Sequence, residues 1–255
     1  MTPDMEWLIR QERRIRPDGD QVWWQRVQAK LAECVRRYPD ALVADVGCGA
    51  DSGYTSVPAH AAALRVGLDV DPDGARNPAI DRFVRASADA IPLRSGSVDL
   101  VVSGYVLEHL RDPRCALREF ARVLKPGGAV VLWTPNRLNY AIAVSALTPT
   151  WFHNWVRRLG DPGLSKDNCP TFYRLNTAGA LARGIEEAGL VLAEPPIHTS
   201  GAYLYFRFSK TLFTLAALAS RVARHTPLRH LKAGLIAVCT KPGAVQASRA
   251  PASPL

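Results

Sequence analysis

Residues 41–53 read Ala-Leu-Val-Ala-Asp-Val-Gly-Cys-Gly-Ala-Asp-Ser-Gly. An apolar run, Leu42 to Ala44, closes on an acid, Asp45, and then on two glycines one residue apart, Gly47 and Gly49. A parallel strand buried on both faces has this composition, and glycines at its carboxyl end let a ligand lie against bare backbone. Val66-Gly-Leu-Asp69 reads as a second strand ending in a carboxylate, at about the 20-residue separation that such folds use. A carboxylate there accepts both hydroxyls of a ribose. Together the two segments place a nucleoside at the edge of an α/β sheet.

The glycine spacing narrows the choice of nucleoside. Dinucleotide sites carry G-x-G-x-x-G, the third glycine letting the helix pack close beneath a pyrophosphate. Here Ser52 stands where that glycine would be, beside Asp51, and Gly53 comes one residue late. An acid facing a pyrophosphate is repelled, whereas an acid facing a cationic ligand is not. A nicotinamide-dependent oxidoreductase is therefore disfavoured.

Further along come Val84-Arg-Ala-Ser-Ala-Asp-Ala-Ile-Pro-Leu93 and Ser95-Gly-Ser-Val-Asp-Leu-Val-Val-Ser-Gly-Tyr-Val-Leu-Glu-His-Leu110. They are followed by Leu117-Arg-Glu-Phe-Ala-Arg-Val-Leu-Lys-Pro-Gly-Gly128 and Ala129-Val-Val-Leu-Trp-Thr-Pro-Asn136. In this order and at these separations, the segments from about 35 to 136 resemble the type 11 family of class I S-adenosylmethionine-dependent methyltransferases, which includes quinone-methylating enzymes. The resemblance implies a Rossmann-like, doubly wound seven-stranded sheet whose last strand is reversed. It implies S-adenosylmethionine as cofactor, held by Asp45, Gly47, Cys48 and Gly49 at its methionine end and by Asp69 and Val70 at the ribose. Ser87 and Ala88, with Asp89 two residues beyond Ser87, fall at the adenine positions, and a hydroxyl replaces the acid often found there. Ser103 lies at the end of the fourth strand, beside the methyl to be transferred. His109 is the candidate base, its ordinary pKa lying near neutrality, and Tyr105 is a candidate acceptor contact. Either side chain can equally serve the fold alone. Lys125-Pro-Gly-Gly128 reads as a helix stop without chemistry.

The coarse map is helix 22–37, strand 41–46, helix 54–63, strand 65–69, strand 82–85, strand 98–103, helix 114–124 and strand 129–134. Helix 177–188, strand 190–194 and strand 233–240 complete it, an alternation that means an open doubly wound sheet. One domain over 1–243 and a disordered Ala/Ser/Pro tail over 244–255 are expected. Segments 136–176 and 196–232 leave carboxyl ends of strands and are expected to cap the ligand side. The first holds Trp151, Trp155, Arg157 and Arg158, then Tyr173 and Arg174, the last two being the better substrate candidates.

Charge is unevenly spread. The net charge is +9, yet from Pro195 to Leu255 there are eight basic residues and no acid, against 24 basic and 23 acidic in the rest. In 209–225, Leu212, Leu215, Ala216, Ala219 and Val222 recur at helix spacing, with Lys210, Arg221 and Arg224 outside the stripe. The stripe is expected to face the core with a solvated basic face. The other reading is peripheral membrane contact and a lipid-linked acceptor. The basic residues do not interleave with aromatics as in a nucleic-acid module, so no nucleic-acid partner is expected.

The five cysteines are odd in number, scattered and free of any C-x-x-C pair, which points to a reducing cytoplasm and against a structural metal. No metal ligand set is expected. The acceptor is expected to be a small molecule, a glycan or a lipid-linked group, with the oligomeric state open. A protein that binds the cofactor without turning it over is the alternative to an enzyme.

Overall fold

The computed structural model describes residues 23–50, 62–139, 169–199, 209–224 and 230–243, together with Trp7, Arg10, Gln11, Arg14 and Ile15. Helix α1 (Trp23–Arg37) leads to β1 (Ala41–Val46), β2 (Ala62–Asp69), β3 (Arg82–Arg85) and β4 (Val98–Gly104). Helix α2 (Pro113–Val123) and β5 (Leu124–Pro135) follow, then α3 (Ala178–Glu187), β6 (Val191–Leu192) and β7 (Ile197–Thr199). Helix α4 (Lys210–Arg224) and β8 (Gly234–Thr240) come last.

The strands form one sheet in the order β3-β2-β1-β4-β5-β8-β6, with β7 pairing β8 off this path. Strands β3, β2, β1, β4 and β5 are mutually parallel. Strand β8 is reversed. It runs antiparallel to β6, and the Lys241 N–H donates to Gly128 O while the Asn136 N–H donates to Ala233 O, so the β8 numbering falls as the β5 numbering rises. Parallel register puts Val46 of β1 level with Leu68 of β2 and Ser103 of β4, and Ser103 level with Leu132 of β5. All these carboxyl ends therefore finish at one edge, where ligands bind in open α/β sheets.

Local chemistry sets the boundaries. Asp112 caps α2 by accepting from the Arg114 N–H at 3.0 Å, with Pro113 in the first helical position. Ala116, Leu117, Phe120 and Val123 of α2 are buried, as their helical spacing requires. Thr177 caps α3 through the Ala180 N–H, and Gly189, at φ 77, stops it. At the opposite edge of the sheet Asp99 binds three strands together, accepting from Leu42 N at 3.0 Å and from Lys125 Nζ at 2.7 and 2.9 Å.

Several boundaries differ from the sequence expectation. Strand β2 starts at Ala62, so residues 62 and 63 are strand rather than helix end; the rest of the expected helix, 54–61, lies outside the described residues, as do Asp51, Ser52 and Gly53. Strand β5 starts at Leu124, and Lys125 to Gly128 therefore belong to its first residues rather than to a separate stop. Strand β6 keeps only Val191–Leu192, and the short β7 adds an eighth strand where seven were expected. Trp151, Trp155, Arg157, Arg158 and the tail 244–255 also lie outside the described residues.

The chain divides into two compact units, Met1–Arg26 with Pro135–Thr171 and His198–Leu235, and Val27–Thr134 with Phe172–Ile197 and Ile236–Leu255. The segments expected to form a cap fall mostly in the first. There α4 packs through Phe213, Ala216 and Ala217 against Ile15, with Trp7 alongside. That corrects the expected stripe: Ala216 is buried, but Leu212, Leu215 and Val222 are exposed. The bulky Phe213 recruits the packed face, and its angular position is nearly opposite that of Leu215.

Candidate functional site

The second unit carries the site. Gly47 leaves β1 with φ 76, its N–H donating to Leu68 O at 2.7 Å, and a Cβ on it would meet Val106 Cγ2. Both the backbone sign and the space require glycine. Cys48 is buried, and burial pushes its thiol up to about 12, so it is an uncharged packing group. Gly49, at φ 54, differs from Gly47: no atom lies within 4 Å of where its Cβ would be. Its N–H donates to Asp69 Oδ2 at 2.9 Å. The other carboxylate oxygen, Oδ1, accepts from the Asp71 N–H at 2.9 Å. Asp69 is thus oriented by two backbone donors, and each oxygen keeps further acceptor capacity.

A residue that sequence reasoning missed holds this loop. Buried Asn77 donates through Nδ2 to Cys48 O at 2.8 Å and to Gly49 O at 3.2 Å, and its Oδ1 accepts from the Ala79 N–H. The only signal in the sequence is an Asn-Pro pair after a run of turn-forming residues, which marks a turn but names no partner.

The other positions gather at the same sheet edge. Asp45 is buried in β1, level with Gly67 and Val102. Val70 is exposed, and its carbonyl accepts from Arg85 Nε at 3.0 Å. The Ala86 N–H donates to Asp69 O at 2.9 Å, which brings the turn after β3 beside the end of β2. In that turn Ala88 is buried, Ser87 half-buried and Asp89 exposed. Ser103 is buried, with no hydrogen-bond partner for its Oγ among the described residues. Beside it the Trp133 indole occupies the volume that a Cβ on Gly104 would need.

Beyond β4, Tyr105 is exposed and held at φ 58, its N–H donating to Trp133 O at 3.0 Å. A 3₁₀ turn, Leu107–His109, leaves His109 half-buried. Glu108 in that turn is buried, and desolvation pushes its carboxyl up to about 7. Its Oε2 accepts from Thr134 Oγ1 at 3.0 Å, and Thr134 Oγ1 accepts from Asn176 Nδ2 at 2.6 Å. Its carbonyl accepts from Phe172 N at 2.6 Å and from Tyr173 N at 3.4 Å. Glu108 therefore ties the turn after β4 to the segment carrying Tyr173 and Arg174. Tyr173 is itself at φ 50 and half-buried, and Arg174 is exposed. Arg111 lies over the Phe172 ring at 5.7 Å. Among the described residues no group of His, Cys, Asp or Glu is arranged to hold a metal ion.

This sheet order, the reversed strand beside β5, the glycine loop after β1 and the acid closing β2 make a Rossmann-like sheet that fits the class I methyltransferase fold. Residues 44–132 match the family model described as Methyltransferase domain. A Mycolicibacterium smegmatis protein named "Probable S-adenosylmethionine-dependent methyltransferase" is 32% identical over 127 residues, 48% of this chain and 49% of that protein. A ubiquinone biosynthesis O-methyltransferase of Parvibaculum lavamentivorans is 26% identical over 172 residues, 64% of each. The chain spans about half the length of the first of these. The crystal structure of an S-adenosylmethionine-dependent methyltransferase from Mesorhizobium loti has the same fold, with TM-score 0.55, 18% identity and coverage of 83% of this chain and 96% of that one.

Proposed function

We propose that this chain transfers the methyl group of S-adenosylmethionine to a small-molecule, glycan or lipid-linked acceptor by direct displacement. The observation that carries the reading is the Gly49–Asp69 hydrogen bond, which joins the ends of β1 and β2 into one ligand platform. The bare backbone at Gly49 leaves room for a methionine tail, and the buried acid Asp45 suits its amino group. Asp69 would take the ribose hydroxyls, with Val70 against the sugar. Ala88 would cover one face of the base, and Ser87 or Asp89 would meet its polar edge. Ser103 would stand nearest the reacting atoms.

The sulfonium supplies an electrophilic methyl group, so the protein's part is to align the acceptor and exclude water. Such positioning is worth up to ~7–11 kcal/mol in favourable cases. Tyr105 and His109 on one segment, and Tyr173 and Arg174 on the other, would bound the acceptor. The Glu108 contacts hold these two segments in register. His109 would act as base only toward an acceptor that must lose a proton during attack.

Calorimetric titration with S-adenosylmethionine, S-adenosylhomocysteine and NADH tests the cofactor. Binding of the first two and not the third is expected, and an Asp69→Ala variant should lose about 1.5–3 kcal/mol of that binding. Equal affinity in the variant would remove Asp69 from the ribose. Methyl-labelled cofactor offered with alcohols, phenols, glycans and lipids then tests turnover; binding without transfer to any acceptor would favour a cofactor-binding protein.

A further inference from the structure

The glycine loop after β1 is gripped from two sides. On one side the end of β2 takes its N–H groups. Gly47 and Cys48 both donate to Leu68 O, at 2.7 and 3.3 Å, and Gly49 donates to Asp69 Oδ2 at 2.9 Å. On the other side a single side chain takes its carbonyls. Asn77 Nδ2 donates to Cys48 O at 2.8 Å and to Gly49 O at 3.2 Å, while Asn77 Oδ1 accepts from the Ala79 N–H at 2.9 Å. Asn77 is only 4% exposed, so protein groups rather than solvent must satisfy its amide. Reversing that amide would set its oxygen against two carbonyls and its NH2 against the Ala79 N–H, which fixes the orientation.

The segment that carries Asn77 is braced against Asp69 as well. Asp69 Oδ1 accepts from the Asp71 N–H, and Asp71 then caps a 3₁₀ turn, Pro72–Arg76, by accepting from the Asp73 N–H at 2.9 Å. The Asn77 N–H closes that turn on Gly74 O at 3.1 Å. A Cβ on Gly74 would lie 3.2 Å from Asp69 Cβ and 2.6 Å from Phe83 Cε2, so the turn rests on the stem of the acid itself. Ile80, just past Asn77, joins Cys48 in occupying the volume that a Cβ on Gly67 would need. The connection from β2 to β3 therefore sets both the carboxylate and the backbone of the glycine loop. Its grip on that loop needs two donors on one short stem. Aspartate has the same shape but no hydrogen to give, and alanine has neither donor nor acceptor.

We propose that Asn77 is a positioning residue for the cofactor: it fixes the Cys48 and Gly49 carbonyls, and with them the bare backbone on which the methionine tail of S-adenosylmethionine lies. This rests on the methyltransferase reading of the loop. The test is calorimetric titration of the wild type, Asn77→Asp and Asn77→Ala with S-adenosylhomocysteine and with methylthioadenosine, which has the same nucleoside and thioether but no amino-acid tail. The wild type should bind both, the first more tightly. Each variant should lose about tenfold or more in affinity for S-adenosylhomocysteine but less than about threefold for methylthioadenosine, because Asp69 keeps its Asp71 donor. Retained binding of methylthioadenosine also shows that a variant is folded. Equal losses for the two ligands, or no loss, overturn the proposal. So does the absence of a cooperative melt in both variants, since Asn77 would then serve the fold alone. A wild type that binds neither ligand overturns the methyltransferase reading and the proposal with it.

Discussion

Gly47 and Gly49 look equivalent in sequence and are not equivalent in space. A methyl group at 47 strikes Val106, and at 49 it meets nothing, while both positions have positive φ. Gly47→Ala should therefore destabilise by about 1–3 kcal/mol through strain and collision, and Gly49→Ala by about 1 kcal/mol through strain alone. Thermal melts and calorimetry together separate the two effects: the variant at 49 should lose more cofactor affinity than stability. Glu108 has a pH signature. Burial raises its carboxyl from the ordinary 4.5 to about 7, so the folded state holds its proton more tightly than the unfolded chain does. The stability this gives is fully present below about 4.5 and is lost as pH rises through about 7. The loss is on the order of 3 kcal/mol. Glu108→Gln keeps an acceptor for Thr134 and cannot ionise, so its melting temperature should fall less than the wild type's between pH 5 and 8. Parallel curves for the two proteins would remove Glu108 as the source. In the sequence His109 drew attention because its ordinary pKa is near neutral. The neighbour that titrates near 7 was hidden, because its burial depends on Thr134 and Asn176, 26 and 68 residues away.

Elements were legible where their signals are local. The cap at Thr177, the glycine stop at 189 and the apolar strands β1, β4 and β5 could all be read from neighbouring residues, whereas α2 begins at Pro113 under an Asp112 cap, one residue before the expected start at 114. Strand ends were harder, because pairing with another strand extends or shortens them. Strand β2 runs back to Ala62 because β1 is there to pair with it, and nothing in Ala62-Ala63 says so. The loop from Ile91 to Ser95 is another case, held by a helix residue with no motif. Arg122 of α2 donates to Leu93 O at 2.9 Å, Ile91 O at 2.6 Å and Ser95 Oγ at 3.1 Å, while pairing with Glu119 at 2.7 Å. Glu119 in turn accepts from Ile91 N at 2.8 Å. Arg122→Ala should cost about 1–2 kcal/mol, allowing for the partial exposure of the pair, and should raise amide exchange over 91–95. Exchange unchanged in that loop would mean that Glu119 alone suffices.

At the scale of the molecule, two glycines, one acid and their separation pointed to an α/β sheet with a ligand at its edge, the reversed last strand came only with the family resemblance, and the order of the strands followed from neither. The contacts of α4 did not follow, because a helix apolar on two faces gives no sequence signal for which face will pack. The two left-handed tyrosines have a consequence for the chain as a whole. Tyr105 and Tyr173 hold φ 58 and 50, a backbone region that glycine or asparagine enters at less cost. Tyr105→Gly should raise stability by up to about 1 kcal/mol in a thermal melt while lowering turnover, and a variant that loses stability would show that the ring packs more than it strains. In a library of random variants sorted for heat resistance alone, positions 105 and 173 should be among the first to drift away from tyrosine.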